Sequence, residues 1–196
     1  MVAVLARARE LAADAWPRVL LTWVDERRVP QADAASNIGA ARVAGVLAAP
    51  HALHVLPLVR DDELPAPAQA CARVATALAR EFAGGLDVTL LGMGEDAHIA
   101  SLFPGLRWQA GDAPVFALDD APKPPPGRIT LTRRFIATAG THIVYVAGEA
   151  KRAAIVRVLA ADPTAPLTGL AGVQLFTDQR VEPASIDTQL TTDTRS

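Results

Sequence analysis

Apolar residues recur at helical spacing from the start of the chain. Val4, Leu5, Ala8, Leu11, Ala12 and Ala15 predict a helix over residues 2–15, ended by Pro17. The short branched run RVLLTWV (18–24) then predicts a buried strand. DERRVPQADAAS is polar and proline-bearing and reads as a loop, with Ser36 placed to cap a helix through NIGAARVAGVL that Pro50 closes. HVLPLVR (54–60) predicts a short strand, and DDELPAP an acidic, proline-rich loop. A helix from Pro67 to Phe82 stops at Gly84-Gly85. LDVTLLGMG is the clearest strand, ending in a Gly-x-Gly turn, after which HIASLF resumes helical spacing. VFALDDAPKPPPGRITLT holds two strands around a proline run. HIVYVAG (142–148) and VQLFTD (173–178) are further strands, with a helix in EAKRAAIVRVLAA.

Strands that alternate with helices and stay apolar along their length imply an α/β fold, a mostly parallel sheet with helices on both faces. With 196 residues and no internal repeat, the expectation is one domain over 1–196. Half of the residues are hydrophobic (51%) but only 5% are aromatic, so the core must be largely aliphatic. The charge of -2 comes from 19 basic and 21 acidic residues without a basic tract, which argues against nucleic-acid binding. The single cysteine, Cys71, excludes an internal disulfide framework and fits a reducing compartment. It falls in a helix-like stretch and reads as a small core residue. No apolar run reaches about 18 residues, so no membrane span is expected, and the start lacks a signal-peptide pattern. The expected location is the cytoplasm.

Candidate chemistry gathers in LLGMGEDAHIASLFPG (90–105). Glycine after a strand lets the backbone approach a ligand, at the place where α/β sheets bind one. A dinucleotide loop would need a third glycine at position 97, which is Ala, and a Walker loop would need Gly-Lys-Ser/Thr. Nucleotide binding is therefore disfavoured. Asp96 and His98 are too few for a metal site, because His51, His54 and His142 are scattered. A second strand-end cluster is Asp25, Glu26, Arg27 and Arg28, expected to converge with the first if both strands are parallel. In APKPPPGRIT three prolines suggest an extended segment, with Lys123 and Arg128 flanking it to clamp one anion. Each of these has a plain alternative: a structural histidine, a solvated loop and a rigid linker.

Three segments together resemble the 6-phosphogluconolactonases. VDERRVP followed by SN is similar to that family's DER-x-V-P…SN, and GMGEDAHIASLFPG to its G-x-G-x-D-G-H-T-A-S-L-F-P-G. APKPPPGRITLT is similar to its P-K-P-P-P-x-R-I/V-T-L-T at the same Lys-to-Arg spacing. The likeness runs from about Val4 to Asp178. It implies the fold of the sugar-phosphate isomerase and coenzyme A transferase-like proteins. It also implies hydrolysis of 6-phosphogluconolactone without metal or cofactor, with a small-molecule sugar phosphate as partner. By motif, His98 would be the acid/base residue and Asp96 its neighbour. Arg27, Lys123 and Arg128 would hold the anionic substrate, with Asp25, Gly92 and Gly94 beside it. An imidazole titrating near neutrality suits water activation and leaving-group protonation, and the glycine-turn amides are candidate oxyanion donors.

Two departures accompany the likeness. Ala97 stands where the family has Gly. The family also opens with a strand and an S-G-G-S/T-T-P-type phosphate loop that would end about where Met1 begins, so the fold is expected to be N-terminally shortened. An upstream start, a short homologue with weaker phosphate binding and an inactive sugar-phosphate-binding relative all fit that gap. An amino-sugar phosphate deaminase/isomerase is the other enzymatic reading. The SLFPG and PKPPPGRIT segments favour the lactonase.

Overall fold

The computed structural model describes residues 2–48, 54–105 and 112–181. Pro50, His51 and the polar C-terminal residues lie outside them. Helix α1 (Val2–Leu11) is shorter than its apolar spacing predicts, and Pro17 sits inside a separate 3₁₀ turn, Trp16–Arg18. Val2, Leu5, Ala6 and Ala8 of α1 rest on Trp16, Ala41 and Val46, a small cluster apart from the main core.

β1 (Leu20–Thr22) pairs in parallel with β3 (His54–Leu56). The DER segment, expected as loop, is instead strand β2 (Asp25–Arg27). Its polar sequence hides a paired backbone and a middle residue, Glu26, that is buried. As expected, Ser36 caps α2 (Asn37–Val43), its Oγ accepting from the Gly39 amide at 3.0 Å. Helix α3 (Pro67–Glu81) carries proline in its first turn, where no N–H is missed, and buries Ala70, Val74, Ala77 and Leu78 along one stripe. Cys71 lies beside that stripe, half-buried, and burial pushes its thiol pKa up, which makes it a poor nucleophile.

β4 (Val88–Leu91), β7 (Thr141–Val146) and β8 (Val173–Thr177) form a parallel sheet in the order β4–β7–β8. β5 (Val115–Leu118) and β6 (Arg128–Leu131) join β2 in an antiparallel sheet, β2–β6–β5. The parallel α/β frame is therefore as expected, whereas the antiparallel sheet is not anticipated by the sequence pattern. All four residues of β6 are buried, so its pattern cannot be told from that of a central parallel strand. Thr132 caps a single turn, α4 (Arg133–Ile136), and α5 (Arg152–Leu159) follows a 3₁₀ turn at Glu149–Lys151.

The main core joins these layers through Leu56, Leu78, Leu91, Ile129, Leu131, Val144 and Ile155. Fully burying one such leucine contributes about 2 kcal/mol. β7 alternates, with His142, Val144 and Val146 buried and Tyr145 exposed. His142 is fully buried with Nδ1 2.6 Å from Thr89 Oγ1, whereas His54 is exposed against Glu81. Among the described residues, no helix is long and apolar enough to cross a membrane.

Candidate active site

The segment after β4 does not restart a helix. Ala97 and Ala100 adopt left-handed backbone (φ 68° and 51°), and the chain closes instead through an Ile99–Leu102 bridge. Left-handed residues cannot continue a right-handed helix, so His98 stands in a tight loop and gains nothing from a helix N-terminus. The loop is held by its own backbone: the Gly94 amide donates to the His98 carbonyl at 2.8 Å, and the Ala97 amide to the Gly94 carbonyl at 3.0 Å. The Gly94 amide, one of the glycine-turn amides, is thereby engaged within the loop. Gly92 is exposed at the end of β4.

The loop brings Asp96 and His98 into direct contact, with His98 Nδ1 2.6 Å from Asp96 Oδ1. An ionised carboxylate only accepts, so Nδ1 carries the proton and Nε2 is the nitrogen left for a ligand. Gly94 is required here for close approach: a Cβ on it would lie 2.0 Å from His98 Nδ1 and 2.4 Å from Asp96 Oδ1. Phe103 supports the imidazole from the side, its ring centroid 4.5 Å away. Lys123 completes the group, donating to Asp96 Oδ1 at 3.3 Å.

Electrostatics separate the roles of the pair. Partial burial raises the Asp96 pKa, but the His98 hydrogen bond and the nearby cations hold it down, to about 2. Burial lowers the His98 pKa and outweighs the raising effect of Asp96, so the imidazole is neutral near pH 7. A neutral imidazole oriented by a fixed carboxylate is a proton acceptor ready to act.

β2 and β6 bring the other two segments together in register, Asp25 opposite Thr130 and Arg27 opposite Arg128. The DER segment thus reaches the histidine loop from an antiparallel sheet, a correction to the expectation that it would do so from a second parallel strand end. Asp25 Oδ2 accepts from Ser101 Oγ at 2.7 Å and lies 3.6 Å from Arg128 Nη1, which ties the histidine loop to this sheet. Arg27 Nη1 donates to the Ala35 carbonyl at 2.6 Å, while its Nε is buried without a hydrogen-bond partner.

The proline segment also differs from the expected extended strap. It folds back, with the Ala121 amide donating to the Pro126 carbonyl at 3.1 Å and a cis Pro124–Pro125 bond between. Arg128 is buried at the centre of this turn. Its Nε donates to Pro125 O at 2.7 Å and its Nη2 to Lys123 O at 3.0 Å. Arg128 therefore braces the loop presenting Lys123 through Nε and Nη2, and leaves Nη1 with only the longer contact to Asp25.

Two further side chains hold these segments together. Glu26 accepts from the Asn37 and Ile38 amides at 2.7 and 2.8 Å, locking β2 to α2, and burial raises its pKa. Ser101 bridges to Asp25. Both lie inside the quoted segments, but only contact geometry separates them from their neighbours. Among the described residues, no group of three or more His, Cys, Asp and Glu is gathered as a metal would need.

Comparison with known proteins converges on one group. The family described as "Glucosamine-6-phosphate isomerases/6-phosphogluconolactonase" matches residues 1–177. The chain belongs to this family. It is 37% identical over 185 residues to a 6-phosphogluconolactonase of Mycobacterium tuberculosis, covering 87% of this chain and 75% of the relative. It is 35% identical over 183 residues to the human 6-phosphogluconolactonase, covering 85% of this chain and 68% of that one. The solved 6-phosphogluconolactonase of Trypanosoma brucei superposes with a TM-score of 0.70 at 28% identity, covering 88% and 78% of the two chains. In this family member the Asp96–His98–Lys123 group lies at the carboxyl end of β4, the crevice position that α/β sheets favour for ligands.

Proposed function

We propose that the protein hydrolyses 6-phospho-D-glucono-1,5-lactone to 6-phosphogluconate, the lactone step of the oxidative pentose phosphate pathway. The observation that carries this reading is the contact of His98 Nδ1 with Asp96 at 2.6 Å, in a chain whose relatives are 6-phosphogluconolactonases. His98 Nε2 takes a proton from water as the water oxygen bonds to the lactone carbonyl carbon. Asp96 stabilises the imidazolium that forms, as a carboxylate does in a hydrolytic triad. Collapse of the tetrahedral intermediate breaks the bond to the ring oxygen, which takes the proton back from His98. Lactone and water thus become a hydroxy acid, which ionises near neutral pH, and no redox or metal step is called for.

Lys123 supplies positive charge beside the dyad, and the half-buried Arg27 adds a second cation for an anionic substrate. Asp25 and Arg128 shape the wall, and Gly92 and Gly94 line the strand end. The reading treats 1–196 as one domain acting in the cytoplasm on a small sugar phosphate, in keeping with the single cysteine and the absence of basic tracts.

The test offers the purified protein 6-phosphogluconolactone and glucosamine 6-phosphate in parallel, subtracting spontaneous lactone hydrolysis. Enzymatic lactone opening that disappears in His98→Asn, with folding unchanged, supports the proposal. Deamination of the amino sugar would transfer the protein to the isomerase branch. Binding of 6-phosphogluconate without turnover would make it a sugar-phosphate-binding relative.

A further inference from the structure

The side chain of Arg157, in the last turn of α5, reaches the back of the histidine loop. Its Nη1 donates to the backbone carbonyl of Asp96 at 2.9 Å, across 61 residues of sequence. The other two corners of the guanidinium are fixed from the opposite side. Nε donates to Asp162 Oδ2 at 2.8 Å and Nη2 to Thr164 Oγ1 at 2.9 Å. Asp162 is itself immobilised, because its Oδ1 accepts from both the amide (2.8 Å) and the hydroxyl (2.6 Å) of Thr164. The Thr164 hydroxyl and Arg157 hold the Asp162 pKa down to about 2, so the pair is ionic across the neutral range.

The chain is shaped to make this clamp. After α5, Ala161 adopts left-handed backbone (φ 56°), and the Asp162 amide closes onto the Arg157 carbonyl at 3.0 Å. That reversal is the usual end of a helix, here carried by alanine in place of glycine. It returns Asp162 to the helix end, alongside the guanidinium. On the other side, the carbonyl that Arg157 grips belongs to the peptide joining Asp96 to Ala97, whose φ of 68° is itself left-handed. The orientation of this peptide sets the backbone from which the Asp96 carboxylate reaches His98 Nδ1.

We infer that Arg157, braced by Asp162 and Thr164, is a positioning residue that holds the 96–97 peptide so that Asp96 engages His98 Nδ1. Its contact is with the main chain of the loop and leaves the Asp96 carboxylate to His98 and Lys123. The planar fork explains why arginine suits the place: it meets three acceptors at once in fixed directions, which a lysine ammonium cannot do. The inference rests on the reading of Asp96–His98 as the catalytic pair.

Arg157→Ala, Arg157→Lys and Asp162→Asn test it in the full chain. Loss of the brace loosens the loop on the scale of an ångström, so kcat for the lactone is expected to fall about 10²-fold in Arg157→Ala. KM should stay near the wild-type value, because the substrate-facing cations are untouched. Arg157→Lys and Asp162→Asn should fall less, in the same direction. Methylguanidine added to Arg157→Ala should restore part of kcat. The second readout is the downfield proton resonance of the His98 Nδ1–H bonded to Asp96, recorded without substrate. It should be present in wild type, assigned by its loss in His98→Asn, and lost or broadened in Arg157→Ala. Wild-type kcat together with an unchanged resonance in all three variants would overturn the inference, even if their melting temperatures fell. If Arg157→Ala does not fold, the other two variants carry the same comparison. A wild type without lactonase activity would defeat the functional reading, and the resonance would still decide the brace.

Discussion

Replacing Gly94 with alanine tests the catalytic geometry by steric means alone. The new Cβ would lie 2.0 Å from His98 Nδ1, 2.2 Å from its Cε1 and 2.4 Å from Asp96 Oδ1. Non-bonded contacts settle near about 3.5 Å, so the imidazole must retreat by about 1.5 Å and the carboxylate by about 1 Å. The three nearest atoms all belong to side chains that can rotate, and Gly94 is not among the left-handed glycines, so the backbone can accept the methyl. Stability should therefore change little, while the 2.6 Å contact between Asp96 and His98 is broken. Misplacement by an ångström costs about 10²-fold in rate, or about 2.7 kcal/mol at the transition state. The assay is the initial rate of 6-phosphogluconate formation from fresh lactone, corrected for spontaneous opening, beside a thermal melt of the same sample. We expect kcat/KM to drop about a hundredfold with Tm within a few degrees of wild type. Turnover within about threefold of wild type would refute the claim that catalysis depends on this pair in this arrangement.

Three further outcomes follow from the site. Ala97→Gly should shift unfolding free energy by less than about 1 kcal/mol in a denaturant titration: relief of left-handed strain (about 1–2 kcal/mol) is offset by the lost buried methyl (about 0.8) and the freer unfolded chain (about 0.4–1). A gain beyond about 2 kcal/mol would mean that the strain is not compensated. The acid limb of the pH profile of kcat/KM should lie below the ordinary histidine value of about 6.5, because burial lowers the His98 pKa and the neutral form is the base; a limb above that value would contradict the assignment. Lys123→Met should raise KM and move the same limb to higher pH, since the ammonium disfavours a charged imidazole; a shift to lower pH would show that the charge acts in another way.

Regular periodicity was the legible part of the fold. The α3 stripe, the Ser36 cap and the apolar strands β4 and β7 follow from spacing alone, because each serves one local preference and one buried face. Reading failed where tertiary pairing overrides local character. DER looks like a solvated loop, yet β6 supplies its backbone partners and the amides of α2 receive Glu26. HIASLF looks helical, yet Ala97 and Ala100 lie in the left-handed region, which no apolar count reports.

The same distinction governs the charges around the site. Asp96, His98 and Lys123 meet through their side-chain tips, so the chemistry proposed for them shows in their identity. Arg128 and Arg157 carry the same kind of charge but direct it at main-chain carbonyls, one inside the proline turn and one behind the histidine loop. A donor already bonded to the chain contributes shape more than affinity, which holds for all three nitrogens of Arg157 and for Nε and Nη2 of Arg128. Spacing cannot separate a clamp from a strut, since both need an arginine at a set distance. In this chain the strut in the proline turn presents Lys123 and the strut on α5 orients Asp96. The two side chains that flank His98 in its network are each backed by an arginine bonded to the main-chain carbonyl of the same residue.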